Sequence, residues 1–435
     1  MHMRLAPRAL ITLVLLAAAL PIDAKVQIEH WVTQSGARAY FVETHDLPIV
    51  DLSVAFAAGS AYDPRGRAGL GQLTLTLLKA GSARYSEGQI DRRIADVGAQ
   101  LQENFDPDRA GFALRTLSSE AERKAAVETL ADLLQSPRFA SAVFEREKAR
   151  AIANAAEAAT QPDHIAEEHL YALMYPSHPY GLTAKPATLS TITLEEVQRH
   201  YRTHYGSAGA TVTIVGDLSS DAARALAEEL TSRLEKGEEG KLSPVPPPKP
   251  TKALFVGHAS TQAHVLLGVA ALARADADYF PLLVGNYILG GGGFVSRLMT
   301  ELRSKRGLAY SVYSYFQPLA QRGPFQVGLQ TRRDQAGEAL KRAQDVITEF
   351  VARGPSEAEL KAAKKSLVGG FPLRIDTNRK LLEQLAAIGF YKLPLDWLDE
   401  YPARLQAVTL EQIRRAFAAR VDPERLAIVI VGATD

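Results

Sequence analysis

The sequence predicts an α+β protein built from two homologous domains, and three observations carry that prediction. The chain repeats itself. Thr193-Leu-Glu-Glu-Val197 is echoed by Thr409-Leu-Glu-Gln-Ile413, and Thr211-Val-Thr-Ile-Val-Gly216 by Ala427-Ile-Val-Ile-Val-Gly432, both at an offset of 216 (409 − 193 and 432 − 216). Each copy reads as a Thr-capped helix followed by a buried β-branched strand that ends in Gly, and two matches in register mark a duplication. Secondly, helices and strands interleave without a regular βαβ rhythm, which fits an α+β sandwich better than a doubly wound sheet. Thirdly, Lys236-Gly-Glu-Glu-Gly240 and then Pro244-Val-Pro-Pro-Pro-Lys-Pro250 separate the copies with a charged turn and a proline run. Such a stretch is a semi-rigid, extended linker.

Taken in order, the chain opens with a positive segment at Arg4 and Arg8, an apolar run from Ala9 to Leu20, and Pro21-Ile22-Asp23-Ala24. This is the pattern of a signal peptide over 1–24; an uncleaved anchor is the alternative, although the run is shorter than the ~20 residues that span a bilayer. An N-terminal domain is expected over 25–235, the linker over 236–252 and a C-terminal domain over 253–435. Within them, Ser119 to Leu134 has helical apolar spacing, while Val50 to Ala58 and His264 to Ala271 read as strands.

Composition narrows the function. The 435 residues exceed one ordinary core, and 46% hydrophobic with 23% charged residues predicts a folded globule. Fifty basic and 49 acidic residues leave a formal charge of +1, which provides no general field for nucleic acid or anionic membrane. With no cysteine, disulfides, thiolate metal sites and cysteine nucleophiles are excluded together. An exported chain of this kind is expected in the periplasm, away from the membrane once the signal is cleaved.

Gly66-Arg-Ala-Gly-Leu-Gly-Gln-Leu-Thr-Leu-Thr-Leu-Leu-Lys-Ala-Gly-Ser82 resembles the zinc helix of the pitrilysin/insulinase-type (M16) metallopeptidases, which reads Gly-Leu-Ala-His-x-x-Glu-His. The framing glycines and apolar positions are present, but the catalytic positions fall on Gln72, Leu75 and Thr76. Gln and Thr offer only weak neutral oxygens to zinc, and Leu75 has no proton to accept or give. The family's third ligand follows a supporting Glu by seven residues; Glu147 fits the Glu, so Asn154 takes the ligand position (147 + 7). No metal is therefore expected in this chain.

The second half differs. Leu289-Gly-Gly-Gly-Gly-Phe-Val-Ser-Arg-Leu298 leads into Glu301-Leu-Arg-Ser-Lys-Arg-Gly-Leu-Ala-Tyr-Ser-Val312, which is similar to the family's C-terminal signature of an Arg and a Tyr seven residues apart. Arg303 and Tyr310 meet it (303 + 7), with Arg303 expected to end a helix begun near Val295, Gly307 to close the turn and Tyr310 to open a strand. Alone, Arg303 with Lys305 and Arg306 would read as a solvated helix C-terminus. Gly290, Gly291, Gly292 and Gly293 alone would read as a turn; a phosphate loop lacks its Lys-Ser/Thr. The resemblance implies instead a flexible loop lining a substrate chamber.

The resemblance covers the mature chain and implies two homologous α/β-sandwich domains of the pitrilysin and mitochondrial processing peptidase type, forming half of a clam-shaped chamber. It implies a heterodimer in which a zinc-motif-bearing homologous subunit supplies zinc, and Arg303 and Tyr310 bind a peptide or unfolded polypeptide substrate, with Tyr310 donating to the oxyanion. A structural or peptide-holding subunit without catalysis is the other reading. Among the histidines, His164 and His169 point apart on a helix, while His200 and His204 share a face and suit a role at their helix C-terminus. His258 and His264 carry no spacing signal.

Overall fold

The computed structural model describes residues 25–250 and 252–432, and the expected signal segment 1–24 lies outside the described residues. The first half runs β1 (Glu29–Val32), β2 (Arg38–Glu43), β3 (Ile49–Phe56), α1 (Leu70–Lys79), α2 (Glu87–Asp96), β4 (Gln100–Phe105), β5 (Ala110–Leu117), α3 (Glu120–Gln135), α4 (Ser141–Ala158), α5 (Pro162–Met174), α6 (Pro186–Ser190), α7 (Leu194–His204), β6 (Thr211–Gly216) and α8 (Ser220–Thr231). The second runs β7 (Leu254–Val256), β8 (Gln262–Leu272), α9 (Tyr279–Asn286), β9 (Ser311–Phe316), β10 (Gly323–Arg332), α10 (Ala336–Arg353), α11 (Glu357–Gly369), α12 (Asn378–Phe390), α13 (Trp397–Ala407), α14 (Leu410–Arg420) and β11 (Ala427–Val431).

The strands form two sheets, ordered β1-β2-β6-β3-β5-β4 and β7-β11-β8-β10-β9. Strand for strand, β2, β6, β3, β5 and β4 correspond to β7, β11, β8, β10 and β9. In each sheet the first of these pairs is parallel and the rest antiparallel. The repeated Thr-Leu-Glu segments are helix starts: Thr193 and Thr409 each cap a helix, and Glu196 and Gln412 reach back to complete the capping box.

The halves exchange one helix. α5 and α12 stand 216 residues apart (378 − 162). Each lies on the sheet of the opposite half: α5 packs on β8 and β11, α12 on β6 and β3. Leu170 and Met174 of α5 share a core with Leu266 and Val429, while Leu385 and Ile388 of α12 share one with Tyr40, Val42 and Val215. Fully burying each of these leucines contributes ~2 kcal/mol, so each sheet is completed by residues from the other half.

A buried carboxylate reinforces the seam. Asp108, at 0% exposure, accepts from the Tyr180 and Tyr391 hydroxyls and from the Ala320 N–H. Residues 236–250 form neither helix nor strand. They are strapped to the body, with Ser243, Leu242 and Val245 carbonyls accepting from His178, Gln321 and Arg322. The start of the expected extended run is thus held, over 242–245, by side chains of both halves.

Candidate functional site

In the first half, α1 is the helix that carries the degenerate motif. Gly69, at φ 101°, turns the chain into the helix, and Asp63 accepts from the Gly69 and Gly71 N–H groups at 2.7 Å each. A carboxylate at a helix N-terminus satisfies donors that have no partner within the helix. Burial nevertheless pushes Asp63 up to about 7.

On that helix Gln72 is exposed, Thr76 half-buried, and Leu75 lies in the core at 0% exposure beside Leu78, Phe112 and Leu130. Asn154 is exposed on α4. Glu147, 8% exposed, meets Arg146 Nε at 2.8 Å and Arg150 Nη1 at 3.9 Å. Glu103 on β4 is raised by burial, an effect that Lys79 opposes and Glu147 reinforces. An alkyl side chain turned into the core and three neutral amide or hydroxyl groups do not fit Zn²⁺, which needs imidazole nitrogens or anionic oxygens. Among the described residues, no three His, Cys, Asp or Glu side chains gather as a metal site.

In the second half, α9 continues through a π-helical turn at Tyr287–Gly291. A Cβ on Gly290 would stand 2.4 Å from Ser314 Oγ, and one on Gly291 2.6 Å from Asn286 Nδ2. A Cβ on Gly292 would stand 2.6 Å from the Tyr287 carbonyl oxygen, and Gly293 takes φ 62°. The glycine run is therefore a packed turn against β9, fixed by close approach, where the resemblance implied a flexible loop.

The helix expected from Val295 breaks at Ser296 and resumes, with Met299–Ser304 in π-helical form. The Lys305 N–H reaches the Thr300 carbonyl at 3.0 Å, a five-residue step, and such bulges concentrate at functional sites. Gly307, at φ 63°, closes the helix, and the Leu308 N–H returns to the Leu302 carbonyl at 2.8 Å. Leu308 and Ala309 are buried, Tyr310 emerges 76% exposed, and β9 begins at Ser311.

This geometry brings Arg303 and Tyr310 together. The Arg303 guanidinium carbon stands 4.6 Å from the Tyr310 ring centre and 4.9 Å from that of Phe294, itself 68% exposed. Lys305 and Arg306 instead pair with Glu301, which also takes Arg342 and is held down to about 2 by hydrogen bonds from these cations. Among the described residues the Arg303 guanidinium has no ion pair or hydrogen bond. A cation between two exposed rings, with its N–H groups unspent, is suited to a carbonyl or carboxylate. Sequence reasoning passed over Phe294; its signal is a large apolar residue directly after the glycines.

The histidines lie elsewhere. His200 is 4% exposed, its ring 4.5 Å from that of His204, and burial lowers His200 to about 3. The pair lies at the end of α7, as expected, and His200 Nε2 is buried with no partner among the described residues. His164 and His169 are half-buried on α5, and His258 bonds to the Thr160 carbonyl.

Comparison with known proteins agrees with this architecture. Residues 40–186 match the family described as "Insulinase (Peptidase family M16)", and residues 191–367 "Peptidase M16 inactive domain". The chain is 25% identical over 433 residues to "Non-peptidase homolog YmxG" of Helicobacter pylori, covering 97% of this chain and 98% of the relative. It is 26% identical to an "Uncharacterized zinc protease" of Streptomyces coelicolor, over 82% of this chain and 79% of that protein. Among solved structures, a peptidase M16 inactive domain from Pseudomonas fluorescens superposes with a TM-score of 0.90 at 34% identity, covering 94% and 98% of the two chains. A protease from Helicobacter pylori superposes at 0.86 with 18% identity, over 93% and 99%.

Proposed function

Because the chain belongs to the M16 peptidase family, we propose that it is the zinc-free subunit of a heteromeric metallopeptidase. An unseen homologous partner would supply zinc and the general base, and this chain Arg303 and Tyr310. One contrast carries the reading: the zinc-helix positions hold a core leucine and neutral side chains, whereas the exposed Tyr310 stands in contact with a half-buried Arg303. Arg303 would hold a substrate carbonyl or carboxylate by charge-assisted hydrogen bonds, and the Tyr310 hydroxyl would donate to the oxyanion that develops as the peptide carbonyl becomes tetrahedral. Export of the chain to the periplasm belongs to the same proposal. Peptidase assays of the paired complex carrying Arg303→Ala with Tyr310→Phe test it; turnover equal to wild type would refute it.

A second reading, a peptide-holding subunit without catalysis, is favoured by one observation. A groove of about 520 Å³ lies between α12 and the face of β3, β5 and edge strand β4, lined by Ser53, Gln102, Asn104, Arg115, Arg379 and Glu383, and it reaches the sheet's edge at β4. An edge strand with unpaired backbone can take an extended peptide as a further strand. Under this reading the double variant would bind peptide normally, and its complex would lack turnover before as well as after mutation.

A further inference from the structure

A separate cavity of about 210 Å³ lies where both halves meet residues 236–250, lined by Arg38, Glu239, Arg274, Tyr391 and Lys392. Three cations surround one carboxylate there, an excess of two positive charges. Glu239 takes Arg38 Nη1 at 3.2 Å and Lys392 Nζ at 2.7 Å on the same oxygen. Arg38 spends Nη2 on Thr211 at 3.1 Å, which leaves its Nε buried and unpartnered among the described residues. Arg274 has no ion pair and no guanidinium hydrogen bond among them. It is held over the Tyr391 and Tyr279 rings at 5.3 and 6.0 Å, and its Nε too is buried without a partner.

Guanidinium donors removed from water without an acceptor are costly, and clustered like charges raise each other's energy. Lys392 adds strain, since it takes φ 53°, a left-handed conformation unfavourable for a side chain with Cβ. Such strain concentrates at binding and switch positions. A compact anion with several acceptor oxygens and about two negative charges answers the charge excess and the unpaired Arg274.

We propose that this cavity binds a small polyvalent oxyanion of the phosphate class. The Arg274 guanidinium and the Lys392 ammonium would take its oxygens, with the Arg38 charge beside them. Its cationic ligands come from β2, the turn after β8 and the turn after α12, so the bound anion ties the two halves together.

The test is calorimetric titration of the full chain with inorganic phosphate at fixed ionic strength. The expected result is saturable binding of one phosphate per chain, weakened about tenfold in Arg274→Gln and at least about threefold in Lys392→Gln, whose exposed side chain makes misfolding a lesser concern. Glu239→Gln should instead tighten binding, by about fivefold, because it removes the competing carboxylate. A merely structural ion pair would not do that. Absence of saturable heat, equal binding by wild type and both cation variants, or equal competition by acetate would overturn the assignment.

Discussion

α1 and the Arg303–Tyr310 turn both lie between corresponding strands, β3 and β4 in one half and β8 and β9 in the other, yet they differ in opposite directions. In the first half the motif positions have turned inward or neutral: Leu75 at 0% exposure has joined the core of α3 and the sheet. In the second half the helix has been distorted outward. A π-helical stretch and Gly307 carry Arg303 and the 76% exposed Tyr310 to the surface, while Glu301 absorbs the other cations. One half kept the frame and lost the chemistry; the other keeps polar chemistry at a strained turn.

The sharpest attempt to break this contrast is to restore the first half. Leu75→Glu, alone or with Gln72→His and Thr76→His, should fail to fold stably. It places a carboxylate in an apolar core, at a cost of about 3–5 kcal/mol or more. Denaturation midpoint and zinc content check this, and a stable variant with stoichiometric zinc would mean that the helix is still a metal scaffold. Next in size, Leu385→Ala on α12 should cost about 2–5 kcal/mol. Because α12 completes the first half's sheet, the loss should appear in one cooperative transition for both halves. Two calorimetric transitions, with only one shifted, would contradict the helix exchange.

Tyr310→Phe in the paired complex should lower kcat by about 10²–10³-fold with a smaller change in KM, the expected loss of one oxyanion donor. Steady-state kinetics on a peptide substrate read it out. The smallest effect is on pH dependence. Asp63 stands near 7 in the fold against an ordinary 3.8, so its contribution is present below about pH 4 and lost as pH rises through about 7. His200 stands near 3 against an ordinary 6.5, so its contribution is present above about pH 6.5 and lost as pH falls towards 3. The two oppose each other between about pH 4 and 6.5. Asp63→Asn removes the term that favours acid, and its denaturation midpoint should therefore fall more steeply than wild type on acidification from pH 7 to 4.

Much of this was legible before any coordinates. Thr193 and Thr409 announced capped helices by their Glu and Gln partners, and the predicted strands and the Ser119 to Leu134 helix stand within about two residues of their observed bounds. Local patterns could not show which sheet an amphipathic helix covers, so the exchange of α5 and α12 was invisible; the apolar stripe of Leu381, Leu385 and Ile388 is the same on either partner. The π-helical turn has no sequence signature of its own, since the extra residue per turn is set by packing on β9. The burial of His200 was hidden for a similar reason: a shared helix face does not say what packs over it.

The most direct measurement is peptidase turnover and zinc content of the purified chain, alone and co-purified with a homologue that carries an intact zinc motif. The account predicts no turnover and no bound zinc for the chain alone, and turnover with one zinc per pair when the two are combined. Turnover or stoichiometric zinc in the isolated chain would contradict it.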